Sequence, residues 1–245
     1  MLYPNQTTIT DLIYQIRQRL FPEHFGEGDS SGEVHKVMKE QIKVSLLYRK
    51  KQMPKNIDEE SDKITEIFFQ KLPVIKNSLR QDAEAGLQGD PAAYSIDEII
   101  LVYPGFFAIL AYRLAHELSI LNVPLIPRMM CEYAHSKTGI DINPSAEIGN
   151  RFFIDHGTGV VIGETASIGN NVKIYQGVTI GALSTKNVEN LVGKKRHPTI
   201  EDDVVIYAGA AILGGNTVIG KGSTIGGNAF ITESVSPKSK ISAAI

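Results

Sequence analysis

A single cysteine, Cys131, in 245 residues excludes an internal disulfide framework and fits a reducing compartment. Neither sign of charge is in excess: 25 basic against 27 acidic residues leave no basic field to attract nucleic acid. A long hydrophobic run is missing as well. The most apolar stretch, Ile99 to Tyr112, is too short to span a bilayer, is flanked by Asp97, Glu98 and Arg113, and is broken by Pro104-Gly105. The start, Met1 to Thr8, lacks the basic and apolar regions of a signal peptide. These absences set the expectation of a cytoplasmic protein that neither enters a membrane nor binds nucleic acid. The length fits one large or two ordinary domains.

What is present is a pair of periodicities. In the first half, Leu12, Ile13, Ile16 and Leu20 form one stripe of an amphipathic helix with a polar cap before it. Glu33 to Lys51 and Ile57 to Leu87 repeat the pattern. Tyr103 to Leu121 and Leu125 to Ser136 read as more buried helices bounded by Pro104, Pro124 and Pro127. From Gly139 onward an isoleucine returns about every sixth residue: Ile142, Ile148 and Ile154; Ile162, Ile168, Ile174 and Ile180; Ile200, Ile206 and Ile212; Ile219, Ile225 and Ile231. Four places after most of them stands a small or branched residue such as Ala146, Ala166, Val172, Val204, Ala210 or Ala229, with Phe152 the bulky exception. Offsets of zero and four share one parity, so both side chains face inward from a short strand. Gly and Asn between them supply corners of positive φ. Each hexad is one strand and one turn, three close a triangular coil, and stacked coils make a parallel β-helix. The repeat alone does not set its hand. The fold class is therefore α+β, with an α-helical domain over residues 1–137 and a β-helix over 138–245.

The repeat breaks twice, and such breaks mark functional sites. The first follows Asp155-His156-Gly157-Thr158-Gly159, where the next isoleucine arrives two residues late. The second is the long interval from Gly181 to Thr199, ending in Lys195-Arg196-His197-Pro198. His156 has the parity of an inward residue but the offset of a corner, so its direction stays open, and a corner histidine that only caps a turn is an alternative reading. Asp155 is equally at home as a turn residue. Asp141, fifteen positions before His156, falls near the same corner one layer away. A carboxylate holding one imidazole nitrogen leaves the other to take a hydroxyl proton. No serine or cysteine nucleophile is indicated nearby, so direct attack by an activated substrate is the simpler chemistry.

Asp90-Pro91-Ala92, Ala111-Tyr112-Arg113, the run from Glu132 to Ile142, Asp155-His156-Gly157-Thr158-Gly159, Gly163-Glu164-Thr165-Ala166 and Arg196-His197-Pro198 together resemble the serine O-acetyltransferases, a hexapeptide-repeat acyltransferase family. The match covers the end of the helical domain and nearly all of the β-helix. The resemblance implies a left-handed coil and transfer of acetyl from acetyl-CoA, as co-substrate, to the L-serine hydroxyl, the first step of cysteine biosynthesis from serine. It makes His156 the general base and Asp141 its orienting partner. Asp90 and Asp155 take the serine ammonium; Arg196 holds the carboxylate, with His197 in the same pocket. It further implies a homotrimer or dimer of trimers with sites between subunits, and O-acetylserine sulfhydrylase as a possible partner. No metal or prosthetic group is expected. CoA is placed along the later coils at Ala208, Gly209, Gly226 and Gly227, residue types that also make the corners of any hexapeptide solenoid. Lys221 is read as a solvated surface charge.

Three departures bear on the transfer. Asn143 replaces the family's histidine after Asp141-Ile142. The loop from Ala182 to Lys195 is longer than in compact relatives, and the stretch from Ile241 to Ile245 lacks the family's Gly-x-Pro-Ala tail. The rival readings are a hexapeptide acyltransferase acting on a sugar or other alcohol, a zinc carbonic anhydrase on the same solenoid, which needs three imidazoles where His156, His197 and His135 are on offer, and a trimeric scaffold without catalysis.

Overall fold

The computed structural model describes residues 3–28, 31–49, 56–184 and 193–242. Helix α1 (Gln6–Leu20) begins where Asn5 accepts a hydrogen bond from the Thr8 backbone N–H at 2.9 Å. Its stripe of Leu12, Ile13, Ile16 and Leu20, joined by Ile9, is buried. The short α2 (Pro22–Phe25) is followed by α3 (Glu33–Arg49) and the 33-residue α4 (Ile57–Gly89), which carries Pro73 within it. The expected continuation of the third helix to Lys51 lies outside the described residues.

The apolar stretch resolves into α5 (Ile96–Val102) and α6 (Pro104–Ile120), which meet at 74°. Pro104 cannot donate to continue α5, and its fixed φ suits the first turn of α6. The sequence reading began a helix at Tyr103 and did not separate α5 from it. No single helix among the described residues is long and apolar enough to cross a membrane; only the bent pair passes on length and composition, and Ile109, Leu110, Leu114 and Leu118 of α6 are buried within the protein. Helix α7 (Ile126–Thr138) ends at Gly139, whose φ of 71° closes it in the left-handed conformation.

The remaining strands form three parallel sheets, the faces of a left-handed β-helix. Sheet A contains β1 (Asp141–Ile142), β4 (Val161–Ile162), β7 (Thr179–Gly181), β10 (Ala211–Leu213) and β13 (Phe230–Ile231). Sheet B contains β2 (Glu147–Ile148), β5 (Ser167–Ile168), β8 (Thr199–Ile200) and β11 (Val218–Ile219). Sheet C contains β3 (Phe153–Ile154), β6 (Lys173–Ile174), β9 (Val205–Ile206), β12 (Thr224–Ile225) and β14 (Lys240–Ile241). Every isoleucine of the repeat lies in a strand, in register with the isoleucine of the coil above or below, as Ile162 with Ile180 and Ile174 with Ile206. Fully burying such a side chain contributes about 1.5–3 kcal/mol, so the column is the main stabilising element of this half.

Helix α6 lies across the first coil. A side chain at Gly105 would collide with the Ile154 carbonyl oxygen, so glycine is what permits the approach. Tyr112 donates to the Ala146 carbonyl at 2.7 Å. Arg113 holds Asp82 of α4 with two hydrogen bonds, Nε at 2.6 Å and a terminal nitrogen at 2.8 Å, and reaches the Gly149 carbonyl at 2.8 Å. Asp82 also accepts from the Phe152 backbone N–H at 2.9 Å. Burial pushes the Asp82 carboxyl above its usual range, and Arg113 opposes that shift. This buried network joins the helices to the corner between sheets B and C.

Candidate active site

The edge between sheets C and A carries the first group of side chains. His156 follows β3 at φ 58°, a left-handed conformation uncommon outside glycine. That turn sends its side chain, 73% exposed, away from the isoleucine column and settles the direction that parity left open. Gly157 and Gly159, at φ 90° and 83°, take up the two extra residues, and Ile142 consequently pairs with Ile162.

Around His156 stand two carboxylates and one ammonium. Asp155 is buried; its carboxylate lies 3.8 Å from His156 Nε2 and 3.1 Å from Lys173 Nζ. Lys173 also donates to the Gly89 carbonyl at 2.5 Å and lies 4.4 Å from the Tyr175 ring centroid. Burial pulls the Lys173 pKa down, but the contacts with Tyr175 and Asp155 outweigh it and leave the ammonium more firmly protonated than usual. Asp90, next to Gly89, accepts hydrogen bonds from Tyr103 Oη at 2.6 Å and the Ala92 N–H at 2.8 Å. The Tyr103 hydroxyl is the main cause of a depressed Asp90 pKa, while Lys173 and His156 add to it through space. Asp90, Asp155 and His156 are thus gathered at one edge, two carboxylates and the Lys173 ammonium beside an exposed imidazole.

Asp141 is placed differently. No hydrogen bond or ion pair joins it to His156 in the single chain, where the carboxylate nearest the imidazole is Asp155. Its neighbours are Arg128, at 3.9 Å, and the Glu132 and His135 side chains of α7. The ligand atoms of Glu132, His135 and Asp141 lie within 4.8 Å of one another, the one such group among the described residues. It contains a single imidazole, and within one chain His156 and His197 do not join His135 there.

The opposite edge of sheet A, toward sheet B, carries the second group. Thr165 organises it: its hydroxyl accepts from the backbone N–H groups of Arg196 at 2.9 Å and His197 at 3.1 Å. The Thr165 N–H donates to His197 Nδ1 at 3.0 Å. An acceptor nitrogen carries no proton, so the neutral ring holds its hydrogen on Nε2 and presents it as a donor. Burial, reinforced by the positive charges of Arg196 and Lys195, pushes the His197 pKa down to about 4. Gly163 leaves room for the imidazole; any side chain there would collide with it. The Arg196 guanidinium pairs with Glu164.

Ala208, Gly209, Gly226 and Gly227 all stand on the same edge as His156, on later coils. Gly159, Gly177 and Gly209 share left-handed φ values of 83°, 71° and 72°, and Asn228 continues the line at 58°. Beside them Tyr175 and Tyr207 stack, centroids 5.1 Å apart and planes at 12°. Asn143 occupies the corner after β1, where its side-chain oxygen accepts from the Ser145 N–H at 3.0 Å. Most of the expected lid loop, residues 185–192, and the last three residues lie outside the described residues.

Sequence reasoning missed Tyr103 and Lys173 and gave Thr165 no role. Lys173 and Tyr175 sit one coil beyond Phe153 and Asp155, since Phe153 pairs with Lys173. Tracing the coil offset from Asp155 would have found them. Tyr103 offered no comparable signal, because it reaches Asp90 across a change of helix direction.

No protein-family model matches the chain. It is 45% identical to a plasmid-encoded serine acetyltransferase of Synechococcus elongatus, over 98% of this chain and 82% of that protein. It is 46% identical to the serine acetyltransferase of Mycobacterium tuberculosis, over 67% of this chain and 69% of that protein. Among solved structures, serine acetyltransferase 1 of Entamoeba histolytica in complex with L-cysteine superposes with a TM-score of 0.81 at 37% identity, covering 94% of this chain and 85% of that one. Serine acetyltransferase of Neisseria gonorrhoeae in complex with serine gives 0.65 at 28% identity, over 94% of each chain. With the helical cap, the three-sided coil and near full-length identity to such a relative, this chain belongs to the serine acetyltransferase family.

Proposed function

We propose that this chain transfers acetyl from acetyl-CoA to L-serine with His156 as the general base. The observation that supports this best is the exposed imidazole at a left-handed corner beside Asp90 and Asp155. The two carboxylates suit the serine ammonium. Arg196 and the Nε2–H of His197 suit its carboxylate, which would take over part of the Arg196 contact with Glu164. His156 accepts the hydroxyl proton as the serine oxygen attacks the thioester carbonyl; the tetrahedral intermediate expels the CoA thiolate, and the imidazolium returns the proton to it. Asp141 is proposed as the orienting partner of His156, a role that requires the exposed imidazole to turn away from Asp155. The pantetheine arm would run past Ala208, Gly209, Gly226 and Gly227, where small side chains let it approach the backbone.

The two groups stand on opposite edges of sheet A. A closed ring of three chains packed through this sheet would bring the His156 edge of one to the Arg196 edge of the next. We therefore read the enzyme as a homotrimer with shared sites, with residues 1–137 as the oligomerisation domain that can join two trimers. We also read it as cytoplasmic, with a sulfhydrylase partner an open extension of the family likeness and no resident metal.

An acetyl-CoA assay against serine, homoserine, O-phosphoserine and sugars tests the reaction, and His156→Ala tests the base. Turnover with serine should fall at least about a hundredfold in the variant while its assembly is unchanged. Near-normal transfer by His156→Ala would remove His156 from the mechanism, and transfer to sugars alone would remove serine.

A further inference from the structure

The cleft bounded by α1, α5, α6 and α7 holds two cations, Arg17 and Lys137, that meet no carboxylate among the described residues. Arg17 makes no side-chain hydrogen bond and no ion pair with any described residue, and its Nε is buried without an acceptor. Its guanidinium carbon instead lies 3.9 Å from the Phe25 ring centroid, 4.9 Å from Tyr14 and 5.9 Å from Phe107. Burial draws its pKa down. Lys137, on the same cleft, contacts only the Tyr133 ring, at 5.5 Å, and meets no carboxylate. Buried polar groups are nearly always paired, so the unpartnered Nε of Arg17 leaves a donor that an anion in the cleft can take. Aromatic and aliphatic walls, including Phe106, Phe107 and Leu110, surround the two charges.

We propose that this cleft is a second ligand site, separate from the acetyl-transfer centre, for a small carboxylate on an aromatic or branched apolar body. Its volume of about 240 Å³ exceeds the roughly 150 Å³ that encloses a benzene ring and leaves room for the acid group. The carboxylate sits on Arg17, with Lys137 adding charge, and the apolar body lies against the rings. Tyr103 lines the cleft and its hydroxyl holds Asp90 at 2.6 Å, so occupancy reaches the serine pocket through one side chain. This coupling rests on the serine reading of Asp90; the binding itself does not.

Calorimetry on the full chain with benzoate, benzyl alcohol and benzylamine tests the site. Benzoate should bind with a Kd on the order of 1 mM or below, benzyl alcohol at least about tenfold more weakly, and benzylamine not measurably. Arg17→Gln should weaken benzoate at least about tenfold while serine acetylation continues. Lys137→Met provides the same test, with a smaller loss, should Arg17→Gln fail to fold. Equal binding of benzoate and benzyl alcohol, or undiminished benzoate binding in folded Arg17→Gln, would overturn the site. A serine KM unmoved by saturating benzoate would overturn the coupling. Because binding is read without acetyl transfer, the failure of either reading leaves the other standing.

Discussion

Gly163→Ala adds one methyl group, and the surroundings dictate where it lands. Its ideal Cβ position falls within the imidazole of His197, with Cγ 2.7 Å away and Cδ2 and Nε2 closer still. Gly163 does not use the left-handed backbone, so alanine is acceptable there except for this contact. The ring cannot give way in place: His197 is 7% exposed and its Nδ1 is held by the Thr165 N–H at 3.0 Å. It must leave its seat, and the Nε2–H leaves with it. Losing one hydrogen bond to a charged carboxylate costs about 1.5–3 kcal/mol, which raises the serine KM roughly 10- to 150-fold. The acetyl-CoA KM should change less, since the hydrogen bond lost is the one proposed to the serine carboxylate and His197 is assigned none to CoA. Steady-state kinetics in each substrate, with NMR titration of the His197 ring, read both halves of the argument. Once released from burial, the ring should titrate upward from about 4 toward the ordinary histidine value. A displaced ring with a serine KM within about twofold of wild type would refute the carboxylate role of His197.

Three further outcomes are expected. His197 has a depressed pKa, so its contribution to stability is complete above the unfolded value of 6.5 and is lost as the pH falls through about 4; denaturation midpoints should drop across that window, and His197→Asn should drop less. Arg113→Met leaves the Asp82 carboxyl buried without its partner, which should cost about 3–5 kcal/mol by chemical denaturation, with much of it recovered when Asp82→Leu is added; a single-variant cost below about 1 kcal/mol would contradict the network's role. Tyr103→Phe removes the strongest donor to Asp90, so that carboxyl should titrate higher and the serine KM should rise roughly 5- to 30-fold, from the loss of about 1–2 kcal/mol. Unaltered serine kinetics in Tyr103→Phe would separate Asp90 from substrate binding.

The six-residue repeat was readable because a hexad fixes both a strand and a corner, and burial then demands isoleucine at one position on every face. Ile142 through Ile231 fall where that rule puts them. The hand of the coil was not readable from it, since either hand satisfies the same inward positions; the motif resemblance supplied it. The two irregularities led to Asp155-His156 and Arg196-His197, because bulky polar side chains cannot occupy the narrow column. The expectation for Asp141 rested on counting residues to an eighteen-residue coil, but the widened corner at Gly157 and Gly159 changes that spacing, and in one chain Asp141 turns to Arg128. Lys173 was hidden because its bond to Gly89 spans 84 residues and joins a helix end to a strand. Pairings of that kind depend on how the two halves dock, which no local period records.

The way α6 seats on the first coil makes the two ends of the solenoid unequal in what they can tolerate over evolutionary time. Gly105 against Ile154, Tyr112 on Ala146 and Arg113 on Gly149 tie the uppermost layer to particular residues. A coil inserted or deleted there would have to rebuild all of these contacts and move Asp90 relative to His156. Below the second coil, whose Lys173 still reaches Gly89, the layers are joined to layers like themselves through the same parallel pairing. Length in this protein can therefore drift at the end remote from the helices, while the layer beneath them remains the fixed datum from which the chemistry is measured.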